Sequence, residues 1–121
     1  MDADQRGAIV EQLEHAFGEA EDVTPGDGQP LHALLPALEL PDPWQPIPAR
    51  ALVIFADWPK ERPQFFVAQN VVGESGQPPQ SNQPAYHVGE SWHSFSFTFS
   101  WSGSDPVRAI QLWMNRFLIR A

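Results

Sequence analysis

The chain has 121 residues, 15 acidic against 7 basic, a net charge of -8, 13 prolines and no cysteine. That length suits one domain around one hydrophobic core, and a hydrophobic fraction of 42% is too high for disorder throughout. The missing cysteine excludes disulfides, thiolate-bound zinc and thiol catalysis, and the prolines argue against an all-helical bundle.

Residues 3–20 read as an amphipathic helix, with Ala8, Ile9, Leu13, Ala16, Phe17 and Ala20 at helical spacing. Asp2 and Gln5 fit a capping box that satisfies the first free backbone N–H groups. Most of the negative charge lies at this end. Residues 1–42 hold ten acids and one base, Arg6. Such a chain is a poor ligand for nucleic acid, whose phosphates require clustered Lys and Arg. Glu11 and Glu14, with Glu19 and Glu21, belong to a solvated acidic face or to a contact with a basic protein.

Residues 21–50 form a proline-rich connector. Leu31 to Leu35 fit one helical turn, and Pro36, Pro41, Pro43, Pro46 and Pro48 prevent a long element while Trp44 is carried to the core. Residues 51–101 hold a small antiparallel sheet of three to four strands. Leu52 to Phe55 are a continuous β-favouring run, "PKERP" turns the chain, and "QFFVAQ" is the next strand. A long Gly, Pro, Ser and Asn loop covers 70–91. The stretch "WHSFSFTFSW" then supplies a strand from about Ser94 to Ser100. Its period of two places Phe95, Phe97, Phe99 and Trp101 on one face and Ser and Thr on the other. These rings are expected in the core, each worth roughly 1.5–3 kcal/mol of transfer free energy. A nucleotide-stacking platform would pair them with a basic groove. Residues 105–120 close the chain as a helix. Asp105 is its N-cap, Pro106 its first residue, and Val107, Ile110, Trp113, Met114, Phe117 and Leu118 its apolar face.

The expected class is therefore α+β, a small antiparallel sheet packed by an N-terminal and a C-terminal amphipathic helix. No apolar run approaches the roughly 20 residues of a membrane helix. The polar start "MDADQRGAIVEQ" is unlike a signal peptide, so no membrane contact and a cytoplasmic location are expected.

Candidate chemistry gathers late in the loop. A hydrolase would use Ser91 as nucleophile with His93 or His87 as base, though no strand–turn–helix elbow surrounds Ser91. A metal site would join His87, Glu90 and His93, and a fixed site needs three good ligands and their support. Polar loop residues satisfied by water or backbone account for all four. No catalytic residue, metal or cofactor is therefore assigned. Trp58 and Trp92, beside turns, are candidates for partner contact together with Tyr86 and His93. Trp92 fits an interface and a core position equally.

The order helix, strand, strand, Pro/Gly loop, strand, Trp, helix is similar to the plan of the ubiquitin-conjugating enzyme fold. "WPKERPQFFV" resembles that fold's proline-containing turn between strands. "WSGSDPVRAIQLWMNRFL" resembles the Trp-Ser-Pro segment and helix after its active-site loop. The block from about Leu52 to Leu118 resembles the divergent bacterial ubiquitin-conjugating-like proteins, with "GQPPQSN", "GESWHSFSF" and "WSGSD" in the corresponding places. The family's nucleophile is a cysteine, which carries the ubiquitin-like protein as a thioester. The matching region, Glu90 to Ser94, holds none, and Gln83-Pro84-Ala85 stands where the family's His-Pro-Asn motif would fall. The resemblance thus implies a non-catalytic protein-binding variant in a bacterial ubiquitin-like conjugation or antiviral defence system. Its partner would be a ubiquitin-like protein, the activating enzyme or another operon component. The first helix would meet the activating enzyme, and Trp92 with its loop would be the relict active-site face. The rivals are a small acidic immunity or inhibitor protein with a basic target, and a His-dependent hydrolase.

Overall fold

The computed structural model describes residues 1–78, 82–95 and 103–120. Among them, two helices and a six-stranded antiparallel sheet run in the order α1 (Ala3–Phe17), β1 (Glu21–Asp22), β2 (His32–Leu38), β3 (Ala49–Ile54), β4 (Gln64–Ala68), β5 (Asn82–His87), β6 (Glu90–Phe95) and α2 (Pro106–Arg120). The spatial order is β1-β2-β3-β4-β6-β5. The first four strands form a meander, and the β5–β6 hairpin joins its far edge through β6.

Local chemistry sets the helix ends. Asp2 accepts from the Gln5 amide at 2.8 Å and its own amide donates to the Gln5 side chain at 3.0 Å, the capping box expected from sequence. α1 stops at Phe17 because Gly18 takes a φ of 91° and donates its N–H to Glu14. The helix is thus shorter than residues 3–20. In α2, the Asp105 carboxylate accepts from the Val107 and Arg108 amides at 3.0 and 3.3 Å.

Six strands stand where three to four were expected, and two of the additions, β2 and β5, carry proline. The run read as one helical turn within a connector belongs to β2. Its Pro36 lies where the β2–β3 register shifts between Leu35 and Leu38, a bulge that tolerates a missing N–H. Pro84 sits in β5, an edge strand, where the same tolerance holds. The strand expected from about Ser94 begins earlier, at Glu90, and its described part reaches Phe95. Ser96 to Trp101 lie outside the described residues, and with Phe97, Phe99 and Trp101 so does most of the expected inward-facing aromatic ladder.

Register separates the two sheet faces. Directly opposed residues share a face, so Ala33, Leu35, Ala51, Val53, Phe65 and Val67 lie together, and all are buried. This face meets the helices. Phe65 stacks on Trp113 of α2 with ring centroids 4.9 Å apart, and α1 runs beside α2 with Ile9 and Leu13 in the same core. Trp44 arrives from the connector, packs edge-on against Phe117 at 5.2 Å and donates its indole N–H to the Phe117 carbonyl at 2.8 Å. The opposite, outer face carries His32, Leu52, Ile54, Phe66 and Trp92, which are buried as well. No described helix is long and apolar enough to cross a membrane.

Candidate functional site

Tyr86, His87, Glu90, Ser91, Trp92 and His93 all fall on the β5–β6 hairpin. Its two-residue turn, Val88 and Gly89, has φ values of 53° and 78°. Left-handed pairs of this kind match the twist of a tight hairpin. Glycine takes such a φ freely, but a β-branched valine is strained there. Val88 is also 40% exposed, so no burial of its side chain offsets that strain fully.

Strand alternation then divides the residues. His87, Glu90 and Trp92 face the outer side with Ala68 and Ala85, whereas Tyr86, Ser91 and His93 face the other way. Ser91 and His87 therefore cannot act as nucleophile and base. Ser91 and His93 share a face, but the His93 ring is tied through Nε2 to the Gln69 carbonyl at 3.0 Å. The trio His87, Glu90 and His93 is split by the sheet, and no cluster of three metal-ligating groups occurs among the described residues.

The hairpin folds back over the outer face. β2 and β5 are four strand positions apart, about 19 Å in a flat sheet. Yet the His87 ring lies 6.3 Å from that of His32 on β2 and 4.7 Å from that of Phe66 on β4. Arg50 of β3 clasps the hairpin by a two-armed ion pair to Glu90, whose longer arm is 3.1 Å, and its guanidinium sits 5.4 Å from the Trp92 ring centroid. Trp92 donates its indole N–H to the His87 carbonyl at 3.0 Å.

Trp92 is 1% exposed, which favours the core position over the interface position that the sequence left equally open. Flanked by Ala68 and Ala85 and roofed by Arg50, it is a core residue of the outer face. Trp58 is half-buried, edge-on to Phe55 at 5.2 Å. Tyr86 is 70% exposed, and Glu11, Glu14, Glu19 and Glu21 are exposed on or beside α1. Acidic helix and hairpin tip are thus the candidate contacts open to a partner.

His32 and Arg50 are the site residues that sequence reasoning passed over. His32 is 55 positions from His87 and 6% exposed, with Nδ1 2.7 Å from the Pro30 carbonyl. No local pattern announces its pairing. Burial, aided by the charge of His32, holds the His87 imidazole below the usual histidine value. At Asp22, partial burial pushes the carboxyl up. The Thr24 hydroxyl and amide, with the charges of Arg6 and His32, outweigh it and hold the group below the ordinary aspartate value.

Arg6 crosses from α1 to this loop, donating to the Thr24 hydroxyl at 3.0 Å and to the Gln29 carbonyl. Beside it an open groove of about 1030 Å³ runs past Asp22, Asp27, Asp57 and Trp58. Comparison with known family models, curated proteins and solved structures finds no match to the chain.

Proposed function

We propose that this chain is a non-catalytic, ubiquitin-conjugating-like protein-binding module of a bacterial ubiquitin-like conjugation or defence system. The observation that carries this reading is the order and packing of the elements. α1 precedes the consecutive β2–β3–β4 meander, a hairpin falls where the family's active-site segment would lie, and α2 follows, with the helices on one sheet face. The strand β1 is an addition to that plan, and the hairpin departs from it by pairing with β4 through β6 and reaching back over the outer face. Thioester transfer needs a cysteine, and the chain has none. A fold shared with enzymes does not bring their chemistry with it, and binding is the role these residues can still perform.

The contact surface is the exposed side of α1, with Glu11 and Glu14, because Trp92 is enclosed. Affinity capture from the native host, followed by titration with the purified partner, tests the function. The expected partner is a ubiquitin-like protein, its activating enzyme or an operon-encoded component, bound at least about tenfold more weakly after Glu11→Lys with Glu14→Lys. Lack of binding to every such component contradicts the proposal.

A second reading is favoured by the exposure of Glu11, Glu14, Glu19 and Glu21. In it the chain is a small acidic immunity or inhibitor protein, and its target is a basic protein unrelated to conjugation. Binding would then weaken steeply with salt and with neutralisation of the four glutamates together. A His-dependent hydrolase draws little support from the geometry, since His87 lies on the opposite sheet face from Ser91 and the His93 ring is held through Nε2 at the Gln69 carbonyl.

A further inference from the structure

The outer face is buried by a structure whose fastenings are polar. His87 lies over Phe66 and edge-on to His32, and its carbonyl holds the Trp92 indole. We propose that the β5–β6 hairpin is an acid-released flap, closed over the outer face while His87 is neutral and lifted when His87 takes a proton opposite His32.

The groups around His87 give a proton no compensation. From β4 it meets the apolar ring of Phe66, and from β2 the second imidazole of His32. Glu90, opposite His87 in the hairpin, is the nearest carboxylate in register, but both of its oxygens are taken by Arg50 of β3. Asp22 of β1 attracts His32, and its Oδ1 is already engaged by the Thr24 amide and hydroxyl. A charged His87 therefore gains a like charge beside it, stays partly desolvated and has no carboxylate bonded to it among the described residues. The lowered proton affinity of His87 agrees with this geometry.

Lifting the hairpin exposes Phe66 and Trp92 while leaving Phe65 and the helix-side core in place. The flap thus separates a fixed body from an apolar surface that acid uncovers, independently of the partner proposed above.

Residue-resolved hydrogen exchange on the full chain, compared at about pH 7.5 and about pH 5.5 and corrected for intrinsic exchange chemistry, tests the flap. In the native protein the opening equilibrium of the β5–β6 amides, of the β4 amides that pair with β6 and of the Trp92 indole N–H rises about threefold or more at the lower pH, while the β2 and β3 amides hold. In His87→Phe, which keeps a ring over Phe66, the rise disappears. Equal opening at both pH values in the native protein overturns the proposal, as does the same rise in His87→Phe. Should that variant fail to fold, an NMR titration of the native His87 ring decides. Exchange of the Trp92 indole N–H that rises with the same midpoint as the His87 ring titration supports the flap, and exchange that does not follow that midpoint overturns it.

Discussion

The two faces of one sheet are built on different terms. The helix side is closed by aromatic and aliphatic packing, with Phe65 stacked on Trp113 and Trp44 locked to Phe117. The outer side buries comparable rings, Phe66 and Trp92, beneath an ion pair, a histidine pair and a hairpin with a strained tip. Apolar packing is insensitive to pH and nearly so to salt. The polar closure responds to both. The same chain can therefore keep a fixed body on one side and a responsive surface on the other.

Neighbouring phenylalanines offer the sharpest way to break this comparison. Phe65→Ala removes the ring under Trp113 and is expected to cost about 4 kcal/mol of global stability, read from urea unfolding. Phe66→Ala, one residue on but on the outer face, is expected to cost about 3 kcal/mol, because the hairpin can settle over the gap. Its loss should appear first as faster hydrogen exchange in β5–β6. Equal global losses with no local opening would mean that the two faces form one cooperative unit.

At the hairpin tip the effect reverses sign. Val88→Asn is expected to stabilise the chain by about 1 kcal/mol, since asparagine tolerates the positive φ that valine resists. A lower melting temperature would show that Val88 makes a contact that outweighs its strain. Arg50→Ala is expected to cost only about 0.5 kcal/mol globally, and less in high salt, because both partners of its ion pair are substantially exposed.

The smallest effect is that of pH. The folded-state value of His87 is depressed, so the unfolded chain binds more protons below about neutrality. The stability contributed by neutral His87 is complete above the unfolded value of 6.5 and declines as pH falls toward the lower folded value. Urea midpoints measured across that window should drop in the native protein and stay level in His87→Phe. A native midpoint that rises on acidification would reverse the sign assigned to His87.

The helix side was the legible one. Capping residues and a 3.6-residue spacing marked both helices, and β-favouring runs marked β3 and β4. Leu31 to Leu35 stayed ambiguous because a continuous apolar run suits a buried strand as well as a helical turn. Pro36 and Pro84 hid two further strands by standing at a bulge and on an edge, where proline is permitted. Residues 86–93 announced a cluster of polar and aromatic groups, but alternation in the hairpin scattered them over two faces. The buried state of Trp92 and the meeting of His32 with His87 come from a fold-back between distant strands, which leaves no trace in local periodicity.

The closed hairpin is tested most directly by proton–proton NOEs of the imidazole of His87 in the native protein near neutral pH. Cross-peaks from that ring to the aromatic protons of Phe66, with weaker ones to His32, are the predicted result. An imidazole that shows neither set while β2–β4 remain folded would contradict the two-sided architecture.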